Sequence, residues 1–176
     1  GSGGLPLPSR ALVALAGARC DGSSPWCGPD GVAPFRADVN GTAGLAELAA
    51  ARAKGARLAM VIGWGKHAPL VLNVVLGLRE LGLHNHVVVS RDEEECEALH
   101  AASGGAVDGC VWNSAWPENT DRALVMIWSR LLYASELASQ HGVWAFNADA
   151  DTAPVQDPFR ALAAPGALTP AGAGAE

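Results

Sequence analysis

The stretch RLAMVIGWGKHAPLVLNVVLGLRELGLHNHVVVS, residues 57–90, decides the fold. It opens on an apolar run, Arg57–Trp64, of the length of a buried strand and closed by Gly63-Trp64-Gly65. Leu70–Leu81 is apolar at most positions and stops at Gly82, which predicts a largely buried helix. His86–Ser90 is a short β-branched strand. The alternation continues on both sides. Upstream, Leu45–Lys54 is a helix by propensity, stopped by Gly55. Downstream, Asp92 is an N-cap with acidic residues in the first turn of a helix running to Ala102. Ala106–Trp112 reads as a third strand and Gly142–Phe146 as a fourth. Between them, in 121–140, Leu124, Ile127, Trp128, Leu131, Leu132, Ser135 and Ala138 recur at helical spacing. Strand–helix repeats with short links predict an α/β fold, a mostly parallel sheet flanked by helices. Ligands of such sheets bind outside the carboxyl ends of the strands, here Gly63–Lys66 and Asn147–Asp157.

Composition limits the rest. The chain has 176 residues, 49% hydrophobic and 17% charged, so it affords one modest domain with a core. Its formal charge of −6 excludes a basic coat, and no nucleic-acid partner is expected. No apolar run is long enough for a membrane-spanning helix. Residues 1–40 are rich in Gly, Pro and Ser and are expected to be loosely ordered; 160–176 is an Ala/Gly/Pro-rich tail, leaving 41–159 as the compact domain. The four cysteines contain no C-x-x-C and are read as unpaired thiols, with a Cys20–Cys27 bridge in an oxidising compartment as the alternative. Asn40-Gly41-Thr42 is an N-glycosylation sequon, meaningful in a secretory setting. His84 and His86 alternate near a strand edge and are read as solvated or core-satisfied.

GVWAFNADADTAPVQDPF, residues 142–159, carries the functional argument. An apolar strand delivers Asp149 and Asp151 to its carboxyl end. Read as extended chain, the i, i+2 spacing turns both carboxylates toward one point. Two hard oxygen ligands in a crevice suit Mg²⁺ or Mn²⁺, with diphosphate oxygens and water completing the shell. The competing interpretation is a pair of solvated loop aspartates. Asp157-Pro158 is expected to be a structural turn.

From Leu58 to Phe159 the chain resembles the N-terminal half of the nucleotide-diphospho-sugar transferase family, which includes plant and algal arabinosyl- and xylosyltransferases of the glycosyltransferase-A fold. The resemblance rests on an apolar strand, then Asp149-Ala150-Asp151, then five residues, then Asp157-Pro158-Phe159. It also rests on Asn73 followed by LRELGLHNHVVVSRDEEECEAL, and on Trp128 and Arg130 ahead of the acidic strand. It implies a Rossmann-like domain, truncated relative to the family, that binds a UDP-sugar and transfers the sugar to a glycan or glycoprotein hydroxyl. Asp149 and Asp151 would hold Mn²⁺ or Mg²⁺; Gly63, Trp64, Gly65, Arg130 and Asp149 would bind the donor. The family's usual setting implies a Golgi or secretory lumen. Arg130 stands where the family more often has lysine, and the spacer Thr152–Gln156 lacks the family's aromatic residue. After Asp157 the chain has no Asp, His, Asn or Cys, so no acceptor-side or catalytic residue is assigned.

Two rival readings stand beside this one. A haloacid-dehalogenase-type phosphatase also opens on an apolar strand followed by D-x-D, but Thr152 falls one place early for its motif. A non-catalytic protein of the transferase fold would bind a nucleotide sugar, or a partner, without turnover.

Overall fold

The computed structural model describes residues 32–63, 67–116 and 122–162. In chain order the elements are β1 (Phe35–Asp38), α1 (Thr42–Arg52), β2 (Arg57–Ile62), α2 (Ala68–Glu80), β3 (His86–Val89), α3 (Glu93–Ala102), β4 (Gly109–Trp112), α4 (Arg122–His141), β5 (Trp144–Ala148) and α5 (Pro158–Leu162). The five strands form one sheet in the order β1-β4-β3-β2-β5, parallel at every pairing. The α/β fold expected from the alternation is therefore present, and it is Rossmann-like.

The inner strands β2 and β3 are buried at consecutive positions because both faces of the sheet are covered there. Leu58 and Met60 of β2 point to one core with Leu45 and Leu48 of α1 and Tyr133 and Leu137 of α4. Ala59 and Val61 point to the other, with Val71, Val74 and Val75 of α2 and Leu99 of α3. Asp92 caps α3 as expected, its carboxylate accepting from the Glu95 amide at 2.9 Å, with Glu93–Glu95 in the first turn.

Three features differ from the reading of the sequence. The sheet starts inside the stretch expected to be loosely ordered: β1 lies at Phe35–Asp38, paired with β4, and Phe35 is buried. Gly and Pro on either side hid a strand of four residues, shorter than periodicity resolves. Second, Cys96 and Cys110 are not free thiols. They are 14 residues apart in sequence, but α3 returns over β4, and they form a disulfide with Cα atoms 5.7 Å apart. Cys20 and Cys27 lie outside the described residues. Third, the apolar stripe of α4 does not face the sheet. Its packed side is Met126, Ser129, Tyr133 and Leu137, whereas Leu124, Trp128, Leu131 and Leu132 are exposed.

The amino ends of the strands are locked by one side chain that the sequence did not single out. Arg52, the last residue of α1, is fully buried. Its guanidinium donates to the carbonyls of Ala33, His84 and His86 and to Asp108 Oδ1, the last at 2.8 Å. One fork thus ties α1 to the entries of β1, β3 and β4, and satisfies carbonyls that no ladder reaches. Gly109 is required there: a Cβ would fall 2.7 Å from Arg52 Nε and from the His86 carbonyl.

Candidate functional site at the carboxyl ends of β2 and β5

From β2 the chain steps to β3 and then β4, with α2 and α3 on one face. It then returns over the other face through α4 and places β5 on the far side of β2. The strand order reverses between β2 and β5, and that is where parallel sheets of this kind receive ligands. The register pairs Val61 with Ala148, so the chain leaves both strands side by side. Gly63 follows β2 and Asp149 follows β5.

The sequence expectations meet this geometry unevenly. Gly63 is buried, and its missing side chain accommodates the protein itself: a Cβ would lie 1.9 Å from Val71 Cγ2 of α2. The close approach it permits is thus helix on strand, where contact with a nucleotide had been expected. Trp64 and Gly65 lie outside the described residues. Asp149 and Asp151 are exposed, but the segment is not extended. The Thr152 amide and hydroxyl both donate to the Asp149 carbonyl, at 3.1 and 2.7 Å, closing a turn with Ala150 and Asp151 at its centre. Both residues line one cleft, and they reach it across a turn and not as alternate residues of a strand. That cleft, of about 250 Å³, is lined by Ile62, His67, Leu70 and Ile127 together with Asp149 and Asp151.

Arg130 comes to the same place from α4. Its Nη1 pairs with Asp149 Oδ1 at 2.5 Å, the arginine side chain being 14% exposed and the aspartate 60%. An ion pair this open to water contributes about 1 kcal/mol or less, so its effect is chiefly to hold one carboxylate oxygen in a fixed direction. Trp128, two residues earlier, points out to solvent and away from the cleft. Asn73 of α2 is exposed. Asp157 is structural, as expected: its carboxylate accepts from the amides of Phe159 and Arg160 at the start of α5. Phe159 then packs edge-on against Phe146 and under the Arg57 guanidinium, so the segment after the acidic turn is folded back onto the sheet.

Two lining residues escaped the sequence reading. His67 reaches the cleft as the N-cap of α2 and Ile127 from α4, and neither had been read as a site residue. Asn147, on β5 between the core and Asp149, has a buried Oδ1 without a hydrogen-bond partner, as has Arg130 at Nε. Its signal was present as a polar residue inside an apolar strand. Larger clefts, of about 410 and 460 Å³, flank Phe159 and Asp157, but they are lined by residues such as Lys54, Asn85 and Arg160, away from the carboxyl ends of β2 and β5.

The donor set fits a divalent cation only in part. Among the described residues no group of three or more His, Cys, Asp or Glu side chains converges. Mg²⁺ and Mn²⁺ are commonly held by one or two carboxylates plus phosphate oxygens and water. Asp149 and Asp151 match a cation that arrives with a diphosphate better than one held by the protein alone. Among the described residues no helix is long and apolar enough to cross a membrane. No family model matches the chain, and neither does any curated protein or solved structure.

Proposed function

We propose that this domain binds a nucleotide sugar, with UDP as the nucleotide, through a divalent cation on Asp149 and Asp151, and that it is a glycosyltransferase acting on a glycan or glycoprotein hydroxyl. The observation that carries the reading is the position of the acidic turn: two exposed carboxylates over a cleft where the strand order reverses between β2 and β5. Bound there, Mn²⁺ or Mg²⁺ would offset the charge gathering on a departing nucleoside diphosphate. The chain's own part is to hold the ligand. Asp149 and Asp151 supply the hard oxygen ligands. Arg130 fixes the direction of Asp149 and keeps the local charge near neutral until the cation arrives. Gly63 lets α2 close against β2, which sets one wall of the cleft. The second reading, a binder without turnover, is favoured by the same donor set, because two carboxylates and an arginine suffice to hold a diphosphate and none of them is placed as a base for an acceptor.

A secretory, oxidising setting belongs to the proposal and is supported by the Cys96–Cys110 disulfide and by the exposure of Asn40 in its sequon. Thermal unfolding with UDP, with Mn²⁺ and with both tests the site. Binding at a hundred times Kd stabilises by about 2.7 kcal/mol, a rise of roughly 5–10 °C for a chain of this size. The rise is expected only when both are present, and it disappears in Asp149→Ala and in Asp151→Ala. Release of free sugar or transfer from a UDP-sugar separates the enzyme from the binder; a nucleotide response that survives both substitutions removes the assignment.

A further inference from the structure

Helix α4 is apolar on both sides. Met126, Tyr133 and Leu137 are buried against β2, β5 and α1. On the opposite side Leu124, Trp128 and Leu131 are 53, 65 and 48% exposed, with Ile127 and Leu132 flanking them. A surface helix of a parallel α/β domain ordinarily presents polar residues outward, and a helix apolar all round is a buried one. The outward residues Leu124, Trp128, Leu131, Ser135 and Ala138 follow a four-three-four-three spacing, the seam of a helix that packs on another helix. No charge lies on that seam. Arg130 and Glu136 flank the packed side, and both are partly buried.

We infer that this seam is a self-association surface, on which α4 packs antiparallel against α4 of a second copy about a two-fold axis at Leu131. The side-chain sizes select this occupant. Reversal about Leu131 sets Leu124 opposite Ala138 of the second copy and brings Trp128 beside Ser135, large on small on both sides of the axis, where Leu131 meets its own equivalent. A parallel pairing would set Trp128 on Trp128 and leave Ser135 and Ala138 facing their own equivalents across a gap. The area agrees: the exposed apolar surface of Leu124, Ile127, Trp128, Leu131 and Leu132 is on the order of 500 Å² per copy, so a pair buries about 1,000 Å², the lower bound of a specific interface. A lipid surface is a poorer match. A helix lying on a membrane carries Lys and Arg along its polar face, whereas the twenty residues of α4 have two, Arg122 at the first position and Arg130, already paired with Asp149, on a chain of net charge −6.

Sedimentation velocity of the whole chain from about 1 to 200 µM tests the inference. The expected result is a shift with concentration from 18.0 kDa to twice that mass. Leu131→Glu, an exposed position whose variant should match the thermal unfolding of the wild type at concentrations where that is monomeric, is expected to weaken association by about 100-fold or more. Trp128→Ser should be monomeric, and Trp128→Ser with Ser135→Trp should recover the dimer, because the exchange restores large on small only in the antiparallel register. A wild type that stays monomeric throughout, or a dimer indifferent to Leu131→Glu, overturns the surface. Failure of the exchange to rescue overturns the register. Binding to phosphatidylserine vesicles that Leu131→Glu abolishes, without self-association, assigns the face to lipid instead.

Discussion

The two ends of the sheet treat charge in opposite ways. At the amino ends, Arg52 is fully buried and every donor it carries meets a carbonyl or Asp108. At the carboxyl ends, Asp149 is 60% exposed, Asp151 is exposed, and one arginine reaches a single carboxylate oxygen. A buried charge must be fully partnered or the fold loses several kcal/mol; an exposed one is free of that requirement and keeps coordination sites for a ligand. The first end is therefore where substitutions should unfold the protein, and the second where they should change only what it binds.

The strongest test of the contrast is Arg52→Met. It leaves Asp108 and three carbonyls without their donor, and unfolding by urea should show a loss of about 3–5 kcal/mol. Retention of wild-type stability would mean that water replaces the fork and that the amino end is not the locked one.

Acid should act through the same end. His86 is fully buried beside Arg52, and burial first, then the arginine's charge, push its pKa down to about 4. The unfolded chain takes up a proton below about 6.5, while the folded one resists it until about 4. Stability is thus undiminished above the upper value, falls as pH drops through that window and levels off below it. The loss is about 3 kcal/mol by pH 4. His86→Gln should flatten this part of the urea midpoint against pH; an unchanged slope would assign the loss to carboxylates elsewhere.

Smaller effects belong to the carboxyl end. Gly63→Ala drives a methyl into Val71 and is expected to cost about 1–3 kcal/mol, with partial recovery in the double variant Gly63→Ala, Val71→Ala. It sharpens the comparison by marking a tightly packed place at the open end. Asp149→Ala and Asp151→Ala are expected to change the unfolding free energy by about 0.5 kcal/mol or less, as exposed positions do, while removing any cation-dependent nucleotide response. Large destabilisation by either would make the acidic turn part of the frame and not of a site.

Much of this was legible in order of residues. Consecutive apolar positions in Arg57–Ile62 and His86–Val89 announced strands covered on both faces, and Asp92 with three glutamates announced the start of α3. Asp149 and Asp151 stood out because an apolar strand leads into them. β1 was not legible, being four residues among turn formers and defined only by its pairing with β4. Arg52 was not singled out, because nothing in its neighbours in sequence tells that the entries of three strands would close over it.

The sequence by itself determined the alternation of strand and helix, the carboxylates at the end of β5 and the seam of α4, because all of these are local patterns of period, cap and spacing. Tertiary structure alone decided which strands became neighbours, so that β5 lies beside β2 and the acidic turn meets the end of another strand. It decided that the two D-x-D residues line one cleft across a turn, that Cys96 meets Cys110, and that the seam of α4 looks outward. Each of these depends on which elements pack together, and packing is set by surfaces far apart in the chain that no window of residues contains.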